Sequence, residues 1–409
     1  MTKQLSFFYR KNYDPFFLLV GHACCDANQG ALPAILAFLY AHGSITSFES
    51  IAWFIFASNL VSSIVQPLVG YLSDRKPSPW MMTFGILLSS LSISAMGFLT
   101  DHHNALLICA LLSGIGIAVF HPAAGKTAHA VSPANGLGKG LGLFYVGGNL
   151  GFAIGPVLAT IGMTMFGNHG TAFMIIPAAI ILLSYPPMNA KFQHALKKEK
   201  RELEYLKNQG QQQKDRYVAF GILSVAVFLR ASLFFSLNAF IPLYWLKILD
   251  EPVQTGNAIL SCIAITGAIA TLCGGFIADK IGVNKVFSFV LTLACPLLIC
   301  FSIVQNVIVN TILIIPIAFC IYSSSAPMMA LGQKFLCNHT GFATGITVGL
   351  GVSMGGVVAP LLGWVGDTYG LTATFKTLAV CSTILMIISY LIPSAEPQKS
   401  QQSASSDSR

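Results

Sequence analysis

The chain is short of charge. Asp, Glu, Lys and Arg make up 9% of its 409 residues, whereas a soluble domain carries roughly a quarter. With 54% hydrophobic residues and a mean hydropathy of +0.70, that scarcity excludes an ordinary soluble domain and points to a polytopic membrane protein. Metal and redox frameworks are missing too. The ten cysteines, Cys24, Cys25, Cys109, Cys273 and Cys320 among them, are scattered through apolar runs with no CxxC or Cys/His ligand spacing. They read as small, polarisable packing residues. There is no P-loop, HExxH, GxSxG elbow or dinucleotide fingerprint, so no motif supports an enzyme or an ATP-driven pump. The net charge of +8 makes no nucleic-acid stripe, because the basic residues lie between apolar runs rather than beside aromatics. A cleavable signal peptide is not evident, since the first apolar run carries His22, Asp26 and Gln29.

What the chain does hold is a repeated acid–base turn. Residues 70–76 (GYLSDRK) return about 205 residues later as residues 275–282 (GFIADKIG), close to half the chain length away. The same offset aligns His121-Pro122 with Ala326-Pro327. It also aligns Gly147, Gly151, Gly155 and Pro156 with Gly351, Gly355, Ala359 and Pro360. Twelve apolar runs are long enough, at about 20 residues each, to cross about 30 Å of hydrocarbon. They fall near 16–39, 49–72, 81–100, 104–125, 138–163, 171–189, 217–245, 255–278, 285–304, 308–330, 341–365 and 372–393.

Loop Lys and Arg gather on one side, including Arg75, Lys76, Lys126, Lys139, Lys280, Lys285 and Lys334; Lys247 and Lys376 are the exceptions. Both termini are therefore expected in the cytoplasm. The expected fold is all-α, with twelve transmembrane helices in two pseudo-symmetric six-helix halves. A tail (1–15), a bundle (16–189), a basic cytoplasmic linker (190–216), a second bundle (217–393) and a disordered polar tail (394–409) follow in order. Halves that enter from the same side are parallel repeats, an arrangement suited to a transporter that rocks about a central cavity.

Twelve spans, two halves, a basic central loop and the duplicated turn resemble the major facilitator superfamily. Gly70, Asp74 and Arg75 match the family's turn between helices 2 and 3, with Pro77-Ser78-Pro79 replacing its later part. Gly275, Asp279, Lys280, Gly282 and Lys285 match it more fully. The run from Gly147 to Pro156 resembles the family's antiporter motif. Within the superfamily, Gly21-His22, Asp26, Gln29 and Pro33, with Phe120-His121-Pro122, Val146–Asn149, Arg230 with Ser232, and Phe240–Tyr244, look like the fosmidomycin resistance subfamily. Here Ala123-Ala124 stand where an acid often follows His-Pro. The resemblance implies an exporter of the cytoplasmic membrane, monomeric, driven by the proton gradient without a cofactor, and not an enzyme.

His22, Asp26, Gln29 and Pro33 share one face of helix 1. A charge near the bilayer centre costs on the order of 2.5–3.5 kcal/mol, so Asp26 and His22 are candidate proton carriers, the alternative being a buried pair that fixes helix packing. Arg230 sits mid-run in helix 7 and offers a fork for carboxylate, phosphate or phosphonate; it would bind an anionic solute or pair with Asp26. Gln29, His121, Asn149 and Asn238 are further candidates for lining the solute path. Asp74, Arg75, Asp279 and Lys280 lie at the membrane edge and are candidate gate elements. Gly151, Gly155 and Pro156 would form a helix-packing face. Lys126 is expected to snorkel to the interface. His22, Asp26 and His121 are weak grounds for a metal, and none is expected.

The leading reading is proton-coupled export of a small, antibiotic-like solute, with Arg230 suited to an anion. Partners are then that solute, protons and lipid. Proton-coupled uptake of a carboxylate or related nutrient is the alternative, and a non-transporting membrane receptor or scaffold a distant one.

Overall fold

A computed structural model describes residues 14–45, 48–76, 78–133, 136–209 and 213–395. Of the two expected tails, residues 1–13 and 396–409 lie outside the described residues, as does Pro77 of the first turn. All regular structure among the described residues is helical.

The first half contains α1 (Asp14–Ala41), α2 (Phe48–Arg75), α3 (Trp80–Met96), α4 (His103–Val131), α5 (Leu137–Phe166) and α6 (Ile176–Asn208). A 3-10 segment, Gly167–Ile175, precedes α6. The second half contains α7 (Tyr217–Lys247), α8 (Val253–Ile281) and α9 (Val283–Ile303). α10 comes in two pieces, Val307–Ser323 and Ser325–Phe335. α11 runs from Thr340–Thr344 through a π-helical turn, Gly345–Leu350, to Gly351–Tyr369, and α12 is Leu371–Leu391. Each expected span thus has its helix. Eight stretches among the described residues combine the length and hydropathy of a span, and Trp80–Met96 is a shorter apolar helix. α1 is less apolar because His22, Asp26, Asn28 and Gln29 interrupt it.

Local chemistry sets several boundaries. Gly282 (φ 98°) separates α8 from α9, and Gly370 (φ 86°) separates α11 from α12, both in a region that L side chains rarely enter. Asn306 caps α10 by accepting from the amide of Val309 at 3.1 Å. The first part of the expected linker, from residue 190, is helical and continuous with α6. It continues to Asn208, carrying the exposed i,i+4 pairs Lys198–Glu202 and Lys200–Glu204.

In hydrocarbon the hydrophobic effect does not distinguish helix from lipid, so close backbone approach has to hold the bundle. α5 lies directly on α1. A methyl added to Gly147, Gly151 or Gly155 would fall 2.1, 2.5 or 2.0 Å from the carbonyl oxygens of Leu19, Ala23 and Ala27. Every fourth residue of α5 is therefore seated on successive turns of its partner. Large apolar side chains such as Leu183, Val218 and Ile308 face outward around the bundle.

The halves meet along α2–α11 and α5–α8. The tightest approaches lie toward the end that carries the basic loops. There the Gly70 and Gly341 backbones touch, as do those of Gly138 and Gly275.

Candidate functional site

A cavity of about 340 Å³ lies between the halves, within the range of small-molecule pockets. One wall holds His22 and Asp26 of α1, His121 of α4, and Tyr145 and Asn149 of α5. The facing wall holds Arg230 and Asn238 of α7 and Tyr322 and Ser325 of α10.

His22, Asp26 and His121 converge. The Nε2 of His22 is 3.2 Å from Asp26 Oδ2, the Nε2 of His121 is 3.1 Å from Asp26 Oδ1, and the two Nε2 atoms are 3.2 Å apart. All three side chains are buried, at 2%, 4% and 1% exposure. Each imidazole is anchored through its other nitrogen. His22 Nδ1 lies 2.7 Å from the carbonyl of Phe144, and His121 Nδ1 lies 3.0 Å from that of Ile117. A carbonyl only accepts, so both Nδ1 atoms carry the proton in the neutral rings and both Nε2 atoms present lone pairs to the carboxylate. Phe144 stacks on His22 at 4.0 Å between centroids. Gly148 leaves room for the cluster, since a methyl there would sit 2.8 Å from Asp26 Oδ2 and His22 Nε2.

Arg230 is held in a cradle of neutral oxygens. Its Nε donates to the Ile321 carbonyl and Ser324 Oγ, both at 3.2 Å, and its Nη2 to the same carbonyl at 3.1 Å and to Ser325 Oγ at 2.6 Å. The break in α10 at Ser324 leaves the Ile321 carbonyl in the last turn of the first piece, where the helix ladder does not consume it, and places the Ser324 and Ser325 hydroxyls beside it. Among the described residues Arg230 has no carboxylate partner; Asp26 pairs with the two histidines instead. The guanidinium is a buried cation on a cavity wall, with no protein anion against it among the described residues.

The other candidates separate. Asn238 lines the cavity and donates to the carbonyl of Phe234 at 2.7 Å. Asn149 lines it and reaches Thr271 Oγ1 of the other half at 3.4 Å. Gln29 is buried away from the cavity wall, its amide 3.4 Å from Asn59 Oδ1. Tyr145, Tyr322, Ser324 and Ser325 were not singled out in the sequence. The run Ser323–Ser325 inside an apolar helix is the signal that marks the arginine cradle.

The repeated acids bridge the halves. Asp74 of α2 accepts from the amides of Gly341 and Phe342, both at 2.9 Å, at the start of α11. Asp279 of α8 accepts from the amides of Gly138 and Lys139, at 2.7 and 2.8 Å, at the start of α5. Each carboxylate sits at a helix N-terminus of the opposite half, where free amides and the helix dipole favour an anion. Arg75 stays on its own helix, over the ring of Tyr71 at 4.3 Å, and Lys280 is exposed. Lys126 corrects an expectation. It does not snorkel to the interface; its Nζ is buried on α2, 2.8 Å from Asp74 Oδ1 and 3.2 Å from the Ser73 carbonyl. The packing of α4 on α2 puts a carboxylate within its reach, which local hydropathy does not report.

Two helical halves, a polar cavity between them and paired carboxylate bridges at one end are the marks of a multi-pass membrane transporter. The chain belongs to the Major Facilitator Superfamily, matched over residues 18–350. It is 27% identical over 392 residues to the uncharacterized MFS-type transporter YfnC of Bacillus subtilis (strain 168), covering 93% of each chain. It is 26% identical over 377 residues to the fosmidomycin resistance protein of Escherichia coli (strain K12), covering 91% of each. The crystal structure of the transporter FucP in its outward conformation aligns with a TM-score of 0.72, at 15% identity over 94% of this chain and 100% of that one. That likeness establishes the fold.

Proposed function

We propose that this protein is a proton-coupled antiporter of the cytoplasmic membrane, with both termini in the cytoplasm, and that it exports a small solute carrying an anionic group. The observation that carries the reading is the convergence of Asp26 with two imidazole Nε2 atoms on one cavity wall, opposite an arginine that has no protein anion among the described residues. Antiport requires solute and protons to compete for one site. Deprotonated, the cluster offers only acceptors, namely the carboxylate and two Nε2 lone pairs, and so binds a hydroxyl or N–H of the solute. Protonated, it offers donors, and that contact is lost. Arg230 holds the anionic end of the solute in either state. With the basic loops cytoplasmic, the Asp74 and Asp279 locks close the cytoplasmic end, and protons reach the cluster from outside. The name of the Escherichia coli relative makes its drug the first solute to test.

The test is proton flux in inverted vesicles with an acid interior, to which fosmidomycin and a panel of small anions are added. Alkalinisation of the interior on adding one compound, absent in Asp26→Asn vesicles that contain equal amounts of folded protein, is the expected result. Undiminished pH-driven transport by that variant would remove Asp26 from the coupling step.

A further inference from the structure

From the same geometry we infer that His22, Asp26 and His121 form a binding site for a divalent transition-metal ion of the zinc class. The inference rests on ring tautomers and distances, and holds whichever way the solute moves.

Three residues converge, two Nε2 atoms and the two carboxylate oxygens of Asp26, with nothing but lone pairs directed at one another. Both Nδ1 protons are committed to the carbonyls of Phe144 and Ile117. In the neutral rings the Nε2 atoms therefore carry no hydrogen. Two such atoms 3.2 Å apart, each within 3.2 Å of a carboxylate oxygen, repel unless a cation sits between them. A proton is one such cation and a metal ion another.

The separations suit the metal. Zinc binds imidazole nitrogen at about 2.0–2.1 Å, and adjacent ligands around such an ion lie about 2.9–3.4 Å apart, the lower figure for an octahedral face and the upper for a tetrahedral edge. The two Nε2 atoms, 3.2 Å apart, fall inside that span, and each lies 3.1–3.2 Å from its own oxygen of Asp26, so the carboxylate meets the pair with both oxygens; one ligand atom from each residue lies within 4.8 Å of the other two. The donor set, two imidazoles and one carboxylate, suits zinc, iron, nickel or copper rather than calcium or magnesium. Carbonyls accepting from the far nitrogen of each ligating histidine are the partners that fix a metal ligand's tautomer and ring orientation. Those partners come from α4 and α5, so the ring orientations are set before any ion arrives. The open side of the triad faces the cavity, past Gly148, leaving a coordination position for water or a solute oxygen.

The experiment is isothermal titration of purified full-length protein in detergent with zinc ion alone, repeated with cobalt(II) to read the ligands from its visible absorption. One equivalent per chain is expected, with a cobalt spectrum of nitrogen and oxygen ligation, and affinity weakening as pH falls because protons occupy the same lone pairs. His22→Ala and His121→Ala are each expected to weaken binding at least about tenfold, while His339→Ala leaves it unchanged; size-exclusion profile and thermal unfolding establish that each variant is folded. Two results would overturn the site: no zinc binding by the wild-type protein, or wild-type affinity in folded His22→Ala and His121→Ala. Thiolate charge-transfer in the cobalt spectrum, lost on replacing Cys337, would equally assign the ion elsewhere. No proton gradient enters the assay, so failure here leaves the antiport reading standing, and failure of antiport leaves this one.

Discussion

Arg230 shows what a single side chain contributes. Its guanidinium meets one carbonyl and two hydroxyls at the same time, which requires a planar fork. Lysine carries the same charge as a compact ammonium on a flexible stem and cannot reproduce that geometry. Arg230→Lys should therefore lower the initial rate of anionic solute transport by about tenfold or more, a loss equivalent to about 1.4 kcal/mol of transition-state binding. Wild-type rates in vesicles containing Arg230→Lys would mean that charge alone suffices. Asp26 makes the complementary point. A carboxylate at this depth is tolerable where a cation is shared between it and the two imidazoles beside it; under the proposed antiport that cation is the exchanged proton.

Among elements, the α1–α5 seam and the linker end are the most exposed to test. Gly155 sits so close to Ala27 that any side chain must separate the helices. Gly155→Val should lower the thermal midpoint of the detergent-purified protein, with a cost of about 1–3 kcal/mol for the forced shift. An unchanged midpoint would show that α5 can slide. At the linker end, Asp215 accepts from the amide of Asn338 at 3.0 Å and lies 2.6 Å from His339 Nδ1, tying the linker to the loop before α11. In that loop, burial and then the Asp215 carboxylate push the Cys337 thiol up to about 11. At pH 8 the thiol stays protonated, so Cys337 should alkylate slowly by peptide-resolved mass spectrometry. Asp215→Asn removes the anion that opposes thiolate formation and should speed the reaction. Labelling as fast as a free thiol in the unmodified chain would contradict the assignment.

At the scale of the molecule, the two repeated acids bridge the halves at one end of the bundle, which under the proposed transport cycle makes them locks on that end. An anion at a helix N-terminus contributes about 0.3–1 kcal/mol, and up to about 2 when partly buried. Removing both charges should then shift the balance between closed and open ends by about half an order to three orders of magnitude. Pulsed EPR distances between labels at positions 75 and 280, in a background stripped of native cysteines, are expected to gain a longer population in Asp74→Asn/Asp279→Asn. An unaltered distribution would place the energy of closure elsewhere, in the glycine seams. Lys126 adds asymmetry: it reinforces the Asp74 bridge by a buried ion pair, whereas among the described residues Asp279 is held by the two amides.

Much of this architecture was legible before any tertiary structure. Hydropathy located the twelve spans because a chain in hydrocarbon must satisfy its own backbone hydrogen bonds, which makes every long apolar run a helix. Helical period placed His22 and Asp26 on one face, since residues four apart always share it. The offset of about 205 residues revealed two halves and marked Asp74 and Asp279 as counterparts. What local pattern does not carry is which faces meet. That His121 brings a second lone pair to Asp26, that the cradle of Arg230 is made by a serine run 94–95 residues away, and that Lys126 turns inward to Asp74 all depend on helix approach. Such contacts come from how closely glycine seams let backbones pack, and that is decided only when the whole bundle closes.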